Sequence, residues 1–237
     1  IKKQKVDFII VVAYGNLIDD FIINFPKFLT INVHASLLPK WRGAAPIQRS
    51  ILNDDKETGI CVMKVEKKLD AGPIIKLEKI KINYDDNAGS IYKKMILVGC
   101  PLLVKAMKEI INKDYKMINQ KENLSTYAKK IKKSESRIMW QDDAEKINLK
   151  IRAFNPFPGA WTKIRGNNKR IKILKSEVVK KKLAHEKNLD IGNITDSLEV
   201  KCGKGFLKIL ELQLEGKTAL NSEEFLNGYK TKSLVFE

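Results

Sequence analysis

Apolar and polar positions run in two rhythms along this chain, and the rhythm changes near residue 113. Val6 to Ala13 is apolar throughout after Asp7, the pattern of a strand buried on both faces of a parallel sheet. Tyr14-Gly15-Asn16 turns the chain, and Leu17 to Phe25 predicts a short helix ending before Pro26. In Leu29–Pro46 the β-branched Thr30, Ile31 and Val33 favour a strand. Strand side chains alternate between faces, so Ile31 and Val33 point one way and Asn32 and His34 the other. Pro39 and Gly43 break the run, and Pro46 suits the first turn of a helix through Asn53. Gly59 to Glu66 and Ile74 to Ile82 read as further strands. Asn87 to Asn112 is a long amphipathic helix that Gly99-Cys100-Pro101 is expected to kink or break. Alternating strands and helices predict an α/β domain over residues 1–113, Rossmann-like with a mostly parallel sheet. Periodicity then fades, and residues 114–130 read as a linker.

From residue 131 the pattern is that of a second domain, through residue 237. Ala144 to Phe154 predicts a helix, and Asn155-Pro156-Phe157-Pro158-Gly159 a rigid corner. Short β runs follow at Ala160–Arg165, Arg170–Val179, Leu198–Cys202 and Phe206–Leu214. Gly166 to Asn168 is a hairpin signal between the first two. Asn221 with Glu224 three residues on has the form of a capping box opening a last helix. Short strands at this spacing point to a small barrel.

The chemistry gathers where strand meets loop. In an open α/β sheet, ligands bind beyond the strand ends, and Asn32 and His34 sit at one such end. Lys68-Leu69-Asp70-Ala71-Gly72-Pro73 follows the next strand, placing Asp70 to reach its neighbour. An amide donor, an imidazole and a carboxylate brought together suit acyl transfer to an amine. Taken singly, the same residues also read as a hydrogen-bonded strand pair and a turn aspartate.

The ungapped stretch Asn-Val-His-Ala-Ser-Leu-Leu-Pro-Lys-Trp-Arg-Gly-Ala-Ala-Pro-Ile, followed by Leu-Asp-Ala-Gly, resembles the formyltetrahydrofolate-dependent formyltransferases. The extension Gly43 to Ser50 is most similar to the branch acting on methionyl-tRNA, and the likeness covers nearly the whole chain. It implies formyl transfer from 10-formyltetrahydrofolate, without a metal, to the α-amino group of initiator methionyl-tRNA. Asn32, His34 and Asp70 would be catalytic. Ser36, Leu37, Leu38 and Pro39 would border the folate, with Tyr14 and Gly15 against its pterin end, although Tyr14-Gly15 also reads as a plain βα turn. The second domain would be an OB-like barrel that binds tRNA. The chain opens with a core strand rather than an initiator Met. In this reading it lacks the family's opening βα units, with one flank of the folate cleft and an inserted loop that meets the tRNA acceptor end.

The charge fits a polyanionic partner. Net charge is +17 with a pI near 9.6. Residues 1–120 hold 20 basic and 13 acidic side chains and the remainder 25 and 15, so both halves share the excess. Of the 45 bases 39 are Lys, a bias that an AT-rich genome also produces. Arg42 and the run Lys180-Lys181-Lys182 are candidate RNA contacts, the run reading equally as a solvated loop. Phe154, Phe157 and Trp161 could stack bases or fill the corner's core. Cys61, Cys100 and Cys202 lack C-x-x-C spacing and read as buried free thiols of a cytoplasmic protein. With two histidines, one of them His185, no zinc set of ordinary spacing can be assembled. No apolar run approaches a membrane span, and the protein is read as a monomer. Rival readings are a formyltransferase for a small amine, a folate hydrolase, and a truncated chain that only binds tRNA.

Overall fold

Two strand pairings of opposite sense meet at the strand that carries Asn32 and His34. The computed structural model describes residues 4–167, 169–180, 189–229 and 234–237. They form two compact units. The first comprises Ile1–Ser50, Asp55–Asp86 and Ser90–Lys130, and the second Ile51–Asp54, Asn87–Gly89 and Ile131–Glu237. Along the first 130 residues the order is β1 (Phe8–Val12), α1 (Asp20–Ile23), β2 (Leu29–His34), β3 (Arg42–Gly43), α2 (Pro46–Leu52), β4 (Glu57–Lys64), β5 (Ile74–Lys81), α3 (Ala88–Ile111) and β6 (Tyr127–Ala128).

The main sheet runs β1-β2-β4-β5. Only β1 and β2 are parallel; β2 pairs antiparallel with β4, and β4 with β5. The sheet is therefore mixed rather than mostly parallel. The β4–β5 connection, residues 65–73, is shorter than the dozen or so residues a parallel crossover needs. β1 is also not buried on both faces. It lies at the edge of the sheet, and Ile10 and Val12 are 41% and 60% exposed.

α3 runs unbroken through Pro101. Ile91, Met95, Leu102, Ala106 and Ile110 recur along it as a buried stripe, and burying that stripe offsets the roughly 3 kcal/mol an interior proline costs. Gly99 belongs to the packing rather than to a break, since a Cβ there would lie 2.4 Å from Ile60 Cδ1. Residues 114–130, expected to be a linker, are laced to the first unit. Ile118 and Ile74 exchange backbone hydrogen bonds of 2.9 Å each way, and β6 pairs in parallel with β3.

The second unit contains α4 (Ala144–Phe154), β7 (Ala160–Lys163), β8 (Arg170–Val178), β9 (Glu199–Lys201), β10 (Phe206–Leu214), β11 (Ala219–Asn221) and α5 (Ser222–Gly228). Its strands pair antiparallel in the order β11-β10-β8-β7, with β9 beside β10. Among the described residues this sheet is open, and no barrel closes. Isolated bridges such as Ile164–Phe236 and Asn193–Val235 extend its margins without a ladder that would join them. Trp140 stacks on Phe236 at 5.5 Å and donates its indole N–H to Thr162 Oγ1. The corner aromatics divide: Phe154 is buried, Phe157 exposed and Trp161 half-buried beneath the Arg170 guanidinium. The capping box at Asn221 and Glu224 forms as expected. Among the described residues, no helix is long and apolar enough to cross a membrane.

Candidate active site

The alternation of β2 places Asn32 and His34 two residues apart on one face. The loop after β4 brings Asp70 to both. Asn32 Nδ2 donates to Asp70 Oδ1 at 3.1 Å; a carboxylate can only accept, so the amide nitrogen must face it. The Gly43 N–H donates to Asp70 Oδ2 at 2.8 Å. His34 Nδ1 lies 3.7 Å from the same oxygen, an ion pair when the ring is protonated. His34 Nε2 lies 2.9 Å from the Trp41 carbonyl, which fixes Nε2 as a donor. His34 is 6% exposed and the Asp70 side chain 11%, so the two side chains lie largely out of water.

The loop between β2 and β3 is shaped from within. Ser36 is fully buried and donates to the Lys40 carbonyl at 2.6 Å. Leu38 belongs to the core with Cys61, Met63 and Ile74. Leu37 covers Gly59 of β4, where a Cβ would lie 2.4 Å from Leu37 Cδ2. The side chains of Ser36 and Leu38, expected to border the folate, are therefore turned inward, because the turn needs them to satisfy its own carbonyls and core. What this loop can offer a ligand is its backbone and the half-buried Leu37 and Pro39. Tyr14 is 58% exposed and nothing crowds Gly15, so their turn is open.

Arg42, expected to contact RNA, is 1% exposed and cannot do so. A buried guanidinium requires acceptors, and it finds them in Gln120 Oε1 and Glu122 Oε2, the latter at 2.9 Å. Hydrogen bonds from Lys68 and then from Arg42 hold the Glu122 carboxyl below its usual range. Lys180 is exposed, as an RNA contact requires; Lys181, Lys182 and His185 lie outside the described residues. Cys100 is exposed rather than buried. Among the described residues, no group of three or more His, Cys, Asp or Glu is placed to hold a metal ion.

The formyl transferase family matches residues 1–107, and the formyl transferase C-terminal domain matches residues 130–230. A methionyl-tRNA formyltransferase of Dictyoglomus thermophilum is 42% identical over 235 residues, spanning 97% of this chain and 74% of its own. One from Pelagibacter ubique is 42% identical over 230 residues, spanning 96% and 72%. The chain belongs to the methionyl-tRNA formyltransferase family. Solved structures extend the likeness at the level of fold. HypX from Aquifex aeolicus in complex with tetrahydrofolic acid gives a TM-score of 0.69 at 19% identity, over 93% of this chain and 38% of that one. WlaRD, a sugar 3N-formyl transferase solved with dTDP and 5-N-formyl-THF, gives 0.68 at 24% identity, over 90% and 76%.

Several members of this formyltransferase's site are invisible to motif reading. The Trp41 carbonyl and the Gly43 N–H are backbone groups of the loop. Thr126, which accepts from the Trp41 N–H at 2.9 Å, and Gln120 come from a stretch without periodicity. Gly72 did carry a signal, as the glycine of Asp-Ala-Gly-Pro. A Cβ there would lie 2.1 Å from the Lys64 carbonyl oxygen, so the loop can fold back on β4 only with glycine.

Proposed function

We propose that this chain transfers the formyl group of 10-formyltetrahydrofolate to the α-amino group of initiator methionyl-tRNA, supplying formylated initiator for translation. The observation that carries the reading is the convergence of Asn32, His34 and Asp70 in a chain of this family. The amine attacks the formyl carbon and the formyl oxygen takes on negative charge. Asn32 spends one amide hydrogen on Asp70 and has a second to offer that oxygen. Asp70, an acceptor held at both oxygens, takes the proton of the attacking amine, directly or through water. That proton passes to the departing nitrogen as the C–N bond to the folate breaks, leaving tetrahydrofolate. His34 acts through its charge beside Asp70, because its Nε2–H is committed to Trp41.

The folate is read as lying along the backbone of Leu37 to Pro39 with Tyr14 at its pterin end. The tRNA is read as held mainly through phosphates, since lysine supplies point charges rather than the bidentate base recognition that arginine favours. The antiparallel unit is read as the OB-like tRNA-binding domain, residues 131–237, and the protein as cytoplasmic.

The test is formylation of charged initiator tRNA by the chain with 10-formyltetrahydrofolate, followed by acid-gel or mass analysis of the methionyl ester. Asn32→Ala, His34→Ala and Asp70→Ala should each lower turnover, on the order of 10²–10³-fold for an oxyanion donor, with tRNA affinity within about twofold. Turnover near normal for any one of them removes that residue from the mechanism, and a chain that formylates only small amines refutes the substrate.

A further inference from the structure

Asp70 stands where it does against the local preference of its own backbone. Its φ is +47°, in the left-handed region, where a non-glycine residue stores on the order of 1–3 kcal/mol. Such a conformation persists only when its surroundings over-determine it. The restraint comes from a residue 50 positions further on. Gln120 Nε2 donates to the Asp70 carbonyl at 2.9 Å and to the Gly72 carbonyl at 2.8 Å. Its Oε1 accepts from Arg42 Nε at 3.1 Å and Nη2 at 2.9 Å. Carbonyls only accept and a guanidinium only donates, so the four contacts admit a single orientation of the amide. Arg42 is itself buried, and Gly43, the next residue, donates to the Asp70 carboxylate. One side chain therefore holds the backbone of Asp70 and, through Arg42, the strand whose next amide holds the Asp70 carboxylate.

We propose that Gln120 is a positioning residue for the formyl-transfer reaction, acting through Asp70. The proposal rests on the functional reading above. Gln120 touches no reacting group; it fixes the Asp70 backbone so that the carboxylate stays on Asn32 and Gly43 and faces His34. Displacing a catalytic group by about 1 Å can cost some 10²-fold in rate, so the effect belongs in turnover and not in substrate binding.

The experiment uses the whole chain with Gln120→Glu. This change keeps an acceptor for Arg42 but sets an oxygen against the carbonyls of Asp70 and Gly72. Hydrogen exchange of the Gly43 amide, followed by NMR, reads whether the Asp70 carboxylate remains in place, with Asp70→Ala marking full loss of the acceptor. Exchange at Gly43 should rise by more than about tenfold in Gln120→Glu while the amides of β4 keep their protection. The kcat for methionyl-tRNA should fall by about 10–100-fold with KM for both substrates within about twofold. Gln120→Met, which keeps the length and adds no charge, should reproduce both changes and covers the case in which the carboxylate variant fails to fold. A residue that merely glued the segment down would lower the melting temperature and leave kcat per folded site and Gly43 exchange unchanged. Unchanged Gly43 exchange overturns the positioning, and raised exchange with unchanged kcat overturns its part in the reaction. If the parent chain does not formylate methionyl-tRNA, the functional reading fails, and Gly43 exchange alone decides the positioning.

Discussion

The backbone N–H of Gly43 and the carboxylate of Asp70 meet at 2.8 Å across 27 residues of sequence. Gly43 can make this bond because it sits at φ +112° with the Ala128 carbonyl oxygen only 3.0 Å from where a Cβ would be. Gly43→Ala should therefore destabilise the protein by about 1–3 kcal/mol and lower turnover beyond what the loss of folded protein explains. Thermal melts alongside kcat per folded site check both parts. A variant with full activity would show that the Asp70 contact is dispensable.

Arg42→Ala removes a side chain that pairs with both Gln120 and Glu122. With the guanidinium gone, the half-buried Gln120 amide oxygen loses its two donors, at a cost of about 1 kcal/mol. Arg42→Lys should recover little of it, because an ammonium cannot reproduce the fork. The salt dependence of tRNA binding should stay as in the parent, since a buried charge neutralises no phosphate. A shallower slope would return Arg42 to the RNA interface.

The thiols should separate by reactivity. Burial pushes Cys61 up to about 11, against a smaller lowering by the Leu38 backbone N–H. Burial likewise pushes Cys202 up to about 12. The thiolate is the nucleophile, so near pH 8 a thiol reagent should modify exposed Cys100 first and reach the other two only on unfolding. Peptide mapping after limited alkylation reads this, and early labelling of Cys61 would contradict the packing around Leu38.

Asp86 should shape the acid limb of stability. Its burial alone would raise its pKa. Hydrogen bonds from Lys94, the Asn83 N–H and Ser90 outweigh that and hold the carboxyl below its ordinary 3.8. A folded-state pKa lower than the unfolded one contributes stability that is full above about 4 and is lost as pH falls through the folded value. Asp86→Asn should lower the urea midpoint at pH 7 and flatten its decline below pH 4. Parallel curves for parent and variant would exclude Asp86 as a source of acid sensitivity.

The elements were legible in the sequence where side chains alone decide them. β2 shows in its β-branched residues, α4 in its periodicity and α5 in its capping box. An apolar run by itself looks the same whether its neighbour is parallel or antiparallel, and only the short β4–β5 connection carried a sign of the pairing sense. Pro101 reads locally as a stop, and only the buried stripe from Ile91 to Ile110 carries the helix past it. In the site, Asn32, His34 and Asp70 were visible as chemistry. The motif shows Ser36 and Leu38 as candidate folate neighbours but not that their side chains turn into the loop's own interior. Arg42 looked like a surface base among many, since its acceptors lie 78 and 80 residues away.

Those long spans have a consequence for how the enzyme comes into being. Trp41 and Arg42 take their backbone partners from Thr126, and Ala44 takes its partner from Ala128. A nascent chain that has cleared the ribosome only as far as α3 already contains Asn32, His34 and Asp70 but still lacks Gln120, Thr126 and Ala128, which brace the loop around them from outside. The catalytic residues are thus synthesised early and assembled late. A chain cut at residue 113, or clipped by a protease just after it, would carry the full signature motif and no finished site.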